Sequence, residues 1–297
     1  DFKRAEAEYY QAFCALNLFH NDGERYIEDF VKEYSNHPRA ATAYYDLANF
    51  FYTERNYSRA ASFYGKVDFT ALTVNQHNTG RFRWGYSLFN QRKLAPALDQ
   101  FNFIKALGGE YGPAASYYAG YIEFESGDYN NALTDLRRAD QAESYQSVVP
   151  QLLAGVLYKT KNYDELLRYT ETALKREDVN SPEEIKLLAA EAYYRKGDLQ
   201  KALAGYEPYI DLKKYAVDAP ILLRAGFSAY SLNKDDQAID YLKRSASDKD
   251  SIGCYSSYYL GSLYLKKGQK PLALNAFDAA RKLKGDSRLV EESTFVY

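Results

Sequence analysis

Three histidines, two cysteines and a few acidic pairs are the residues of this 297-residue chain best suited to chemistry. His20, His37 and His77 share no i, i+4 spacing, so no helix offers two imidazoles to one metal ion. They read as surface or capping residues. Cys14 and Cys254 fit no disulfide framework or metal-ligand spacing. A nucleophilic thiol needs a neighbouring base, and none is evident for either. The stretch "GGEYG" at 108–112 is glycine-rich but follows a helical pattern and carries no phosphate-loop lysine, so it reads as a connector. Glu183–Glu184 and Asp235–Asp236 suit helix starts, and Lys213–Lys214 and Lys266–Lys267 suit helix ends, where the helix dipole favours each sign. The residues therefore predict no catalytic group, no metal and no cofactor.

Composition points the same way. Hydrophobic residues make up 46% and charged residues 26%, enough for a large core. Lysine plus arginine number 38 against 40 acids, a balance that argues against nucleic-acid or anionic-membrane partners. No apolar run approaches the roughly 18 residues that span a bilayer. Tyrosine is in excess, with 31 copies beside 16 phenylalanines, and its apolar body with a polar tip suits interfaces.

What must position these rings is a repeated unit. "GDYNNAL" at 127–133 and "GDLQKAL" at 197–203 are the same joint written twice. Aligned on the residue after the turn, the anchors are Ala60, Ala97, Ala132, Leu166, Ala202, Ala238 and Ala273, in steps of 37, 35, 34, 36, 36 and 35 residues. A weaker copy places Tyr26 as the first anchor. Twelve positions before each anchor stands Cys14, Ala48, Gly85, Gly120, Ala154, Ala190, Gly226 or Gly261, none of them large. Cys14 thereby reads as a packed thiol. Four positions after each anchor stands Phe30, Tyr64, Phe101, Leu136, Thr170, Tyr206, Leu242 or Phe277, with Thr170 alone departing from apolar type. Apolar spacing of three and four residues makes each unit two helices, and the small residues let their backbones approach. Gly127, Gly197, Gly268 and Asn233 are expected to end first helices in the left-handed conformation. Pro113, Pro182 and Pro220 belong in the first turn of a first helix. Trp84, beside Gly85, is expected in the core.

A unit of about 34 residues with these small–aromatic–alanine landmarks resembles the tetratricopeptide repeat. The resemblance implies an all-α right-handed superhelix, a solenoid of about eight helix-turn-helix repeats at 7–40, 41–77, 78–112, 113–146, 147–182, 183–218, 219–253 and 254–287. Residues 288–297 read as the opening of a further helix, and the whole 1–297 as one solenoid domain cut from a longer protein. Pro38, Ala43, Tyr44, Leu47, Ala48, Tyr57 and Ala60 are similar to the bacterial envelope subgroup, which includes periplasmic Tol–Pal partners and outer-membrane assembly lipoproteins. That implies an envelope or periplasmic location, with the cytoplasm as the alternative.

In such repeats the first helices line a concave groove. The stripe turned toward it holds Tyr45, Asn49 and Tyr52, then Phe82, Tyr86 and Phe89, then Tyr117, Tyr121 and Phe124, and continues through Tyr158, Tyr194, Tyr230 and Tyr258. Glu191 and Phe227 lie on the same stripe. The expected function is a non-catalytic scaffold that binds a peptide or partner domain in this groove. A carbohydrate or envelope-polymer module and a structural spacer are the alternatives. Tyr86 and Tyr121 are the expected centre, and the competing reading is that these rings pack between repeats.

Overall fold

In the computed structural model, residues 2–283 are described, and they form sixteen α-helices joined by turns and three short 3₁₀ segments. The proposed start of a further helix at 288–297 lies outside the described residues. The chain divides into two compact units, Asp1–Val149 and Pro150–Tyr297. Unit 1 contains α1 (Phe2–Asn17), α2 (Gly23–Glu33), α3 (Pro38–Thr53), α4 (Tyr57–Tyr64), α5 (Val74–Asn90), α6 (Leu94–Leu107), α7 (Gly112–Ser126) and α8 (Tyr129–Asp140). Unit 2 contains α9 (Val149–Lys159), α10 (Tyr163–Ala173), α11 (Pro182–Lys196), α12 (Leu199–Lys213), α13 (Ala219–Ser231), α14 (Asp235–Ser245), α15 (Ser251–Lys266) and α16 (Lys270–Lys282). Odd and even helices pair as hairpins, and the fold is the all-α helical-repeat solenoid that the period implies.

The joint of each hairpin explains the repeated letters. Gly127 and Gly197 sit at φ 83° and 82°, ending α7 and α11 in the left-handed region that costs glycine nothing. The next residue, Asp128 or Asp198, caps the following helix by accepting from the backbone N–H of Asn131 or Lys201. Asn233 takes the same left-handed place at φ 58°. So do Arg55, Arg92 and Lys161, at φ 57–58°, where no special residue type announces it. Pro113, Pro182 and Pro220 stand in the first turns of α7, α11 and α13.

Within a hairpin the small residues are required by distance. A Cβ on Gly120 would lie 2.7 Å from Leu136 Cγ, and one on Gly261 would lie 2.6 Å from the Phe277 ring. The large residues four after each anchor are buried, Thr170 included; its hydroxyl turns back onto the Leu167 carbonyl, 3.2 Å away, and so needs no outside partner.

The first repeat departs from its expected register. Cys14 is exposed, and Tyr26 is 38% exposed. The buried stripe of α2 is Gly23, Ile27 and Phe30, so Gly23 rather than Tyr26 lies against α1, while Phe30, four after Tyr26, is buried as expected. The backbones touch there, a Gly23 Cβ falling 2.7 Å from Leu16 Cα. Ala12 is the small buried residue of α1 and Cys14 points off that face. Trp84 is half-buried rather than enclosed, stacked 5.8 Å from the Phe69 ring in the connector before α5.

Candidate partner-binding face

In unit 1 some rings of the predicted stripe are joined into a run of contacts along α3, α5 and α7 by Tyr118, a residue outside that stripe. Tyr52 meets Tyr86 at 5.9 Å between centroids, and Tyr86 meets Tyr118 at 5.4 Å. Tyr57, at the start of α4, closes on Tyr86 at 5.5 Å. Phe89 joins Tyr118 at 5.1 Å and Tyr121 at 5.5 Å. Phe82 lies 4.8 Å from Tyr111, Tyr117 lies 5.2 Å from Tyr145, and Phe124 lies 5.9 Å from Tyr129. These rings are half-buried, neither sealed nor free, whereas Tyr45 is buried in the core. The Tyr121 hydroxyl donates to Glu125 Oε1 at 3.0 Å. Burial pushes the Tyr52 phenol up to about 12 and raises Tyr118 and Tyr117 as well, so all three keep their protons at neutral pH.

Unit 2 repeats the arrangement on its own helices. Tyr194 lies 6.3 Å from Phe227, which lies 5.2 Å from Tyr259. Tyr230 meets Tyr259 at 5.2 Å, and Tyr258 meets Tyr259 at 5.6 Å. Tyr158 packs on Tyr163 at 5.8 Å and hydrogen-bonds Glu191 Oε2 at 3.3 Å.

One rule covers both units. The residue two before the small position reaches back to the residues one and four after the small position of the preceding repeat. Tyr118 touches Tyr86 and Phe89, and Tyr259 touches Phe227 and Tyr230. Arginines use the same geometry. Arg83 donates to Asn49 Oδ1 at 2.6 Å and stands over the Tyr52 ring, while Arg224 donates to Glu191 Oε1 at 2.7 Å. Tyr64 and Tyr206, four after their anchors, donate to the same two acceptors at 2.8 and 3.0 Å. Asn49 and Glu191 thus knit adjacent repeats. The sequence reading missed Tyr118, Tyr259, Arg83 and Arg224; their common place two before the small residue was the available signal.

Among the described residues, no group of histidine, cysteine, aspartate and glutamate is arranged to hold a metal ion. No described helix is long and apolar enough to cross a membrane. A buried charge cluster, Lys105 between Asp135 and Glu123, lies in the packing of α6, α7 and α8.

Tetratricopeptide-repeat family models match residues 19–67 and 221–248. Sequence comparison with curated proteins finds no match. Solved structures similar in fold include the C-terminal part of a TPR repeat-containing protein from Cytophaga hutchinsonii. It has a TM-score of 0.60 at 14% identity over 83% of this chain and 98% of its own. A tetratricopeptide repeat protein from Parabacteroides merdae is similar at TM-score 0.51 and 12% identity, over 86% of this chain and 98% of its own. Sequence matches and fold agree on a tetratricopeptide-like helical-repeat scaffold.

Proposed function

We propose that this chain is a non-catalytic scaffold that holds a peptide or partner domain against the aromatic face of its first helices, centred in unit 1 on Tyr86 and Tyr121. The observation that carries this reading is the run of half-buried rings from Tyr52 to Tyr121 across three successive repeats. Rigid aromatics offer much apolar area for few frozen rotors, which makes them efficient anchors. Ring planes argue against a sugar platform. Tyr52, Tyr57 and Tyr118 cross Tyr86 at 65°, 79° and 77°, so their faces share no common plane. The likeness of the Pro38–Ala60 stretch to envelope repeat proteins favours a periplasmic location, which fractionation of native cells tests.

The decisive experiment replaces both Tyr86 and Tyr121 by alanine. With helicity retained, capture from native extract should lose its partners, since central anchors often carry about 2 kcal/mol or more each. Recovery of the same partners in the same amounts rejects this face as the site.

A further inference from the structure

We propose that the junction of α6, α7 and α8 is a proton-operated hinge: when Glu123 gives up its proton, α7 parts from α6 at the Gly108–Gly109 connector and water reaches the buried carboxylates. The inference is independent of what the aromatic face binds.

Charge inside the junction does not balance. The side chains of Glu123 on α7 and Asp135 on α8 are each 5% exposed, and that of Lys105 on α6 is 19% exposed. The Lys105 ammonium is bound to Asp135 and stands 3.6 Å from Glu123 Oε1. Glu123 Oε2 is buried and meets no hydrogen-bond partner. Lys105 and Asp135 are the charged groups that act on Glu123. Arg138, further along α8, is engaged elsewhere, donating through Nη1 to the Lys105 backbone carbonyl at 3.3 Å. With both carboxylates ionised, one ammonium faces two buried negative charges, and an uncompensated buried charge is costly. A proton on Glu123 removes the excess, and its O–H can donate to Asp135. Burial, and then Asp135, hold that proton up to about 7.

The connector is built to yield. Gly108 and Gly109 both stand at φ 71°, and a Cβ at either would meet nothing within 4 Å, so no packing locks this turn. Both glycines border an open cleft of about 470 Å³ that Lys105, Pro113 and Arg138 also line. Solvent therefore already stands beside the lysine of the cluster. α7 is also the helix that carries Tyr118 and Tyr121, so its displacement would carry those rings with it.

The test measures amide hydrogen exchange on the intact chain from pH 5 to pH 8, corrected for the intrinsic pH dependence of exchange. An opened junction has an ordinary Glu123 carboxyl, so opening grows as pH rises from about 4.5 and levels off above about 7. Protection at residues 105–123 should fall about tenfold or more between pH 5 and pH 8, while α13 to α16 keep theirs. Glu123→Gln, which cannot ionise, should stay protected at both ends of the range. Asp135→Asn removes one of the groups that hold the proton and should move the fall to lower pH. Constant protection in the unaltered chain, a fall shared equally by all helices, a fall that spares the connector at 107–112, or a Glu123→Gln variant with the full pH dependence overturns the proposal.

Discussion

At the residue scale, the left-handed joint shows what a single position costs. Gly127 and Lys161 occupy equivalent places at φ 83° and 58°, but a side chain in this region is strained by about 1–2 kcal/mol. Lys161 is exposed. Lys161→Gly should therefore stabilise the chain by about 0.5–1 kcal/mol, the strain relief exceeding the extra unfolded-state entropy of glycine. Urea unfolding measures it, and a loss of stability would contradict the strain argument. Glu191 makes the opposite case. It is 6% exposed and accepts from Tyr158, Tyr206 and Arg224. Arg224→Met keeps the volume but strands a buried carboxylate, so a cost of about 2–4 kcal/mol is expected in the same measurement.

Helices act through the distances between them. Gly120→Leu must push α7 and α8 apart, because even a Cβ there would lie 2.7 Å from Leu136. An overpacking cost of about 1–3 kcal/mol or more follows. Cys14→Leu, on the exposed side of α1, should change stability by no more than about 0.5 kcal/mol. The junction of α6, α7 and α8 also carries a pH dependence. Burial, and then Asp135 beside it, push the Glu123 carboxyl up to about 7 from an ordinary 4.5, against the opposing pull of Lys105. Between those values the folded chain holds a proton that the unfolded chain has released. Stability from this group is therefore present at low pH and lost as pH rises through about 7. Glu123→Gln should remove a fall of roughly 1–3 kcal/mol between pH 5 and pH 8, seen by comparing urea midpoints of the two proteins at each pH. Equal pH slopes in both would show that the carboxyl is ordinary.

At the largest scale, the repeats within each unit touch mainly their neighbours, so stability should behave as repeat terms plus interface terms. Amide exchange on Gly120→Leu should then show protection lost most in α6 to α8. The loss should fade along the chain, leaving α13 to α16 as protected as before. A uniform loss across all helices would indicate a single cooperative core instead.

Periodicity was legible from sequence because packing imposes it locally. A residue that must lie against a facing helix, such as Gly120 or Ala132, has to be small in nearly every copy. The same logic exposed the joint glycines and the first-turn prolines. In the first repeat Phe30 is buried as its place predicts, but Cys14 met the size rule without facing α2, and the burial of Gly23 in place of Tyr26 depends on which helix face meets α1. Lys161 and Arg92 take the left-handed place through the geometry of the joint, without the residue type that marks it elsewhere. The aromatic stripe was visible as spacing within one helix. Its contacts were not, because Tyr118 reaches Tyr86 across a stagger between repeats that no single helix encodes. Sequence alone thus determined the repeat, its small and large packing positions and the wealth of rings on one helical face. Only the tertiary structure decided which rings meet, that Asn49 and Glu191 tie repeats together, and how far each tyrosine remains open to water. Those outcomes depend on the offset between neighbouring helices, a distance set by all the side chains packed between them.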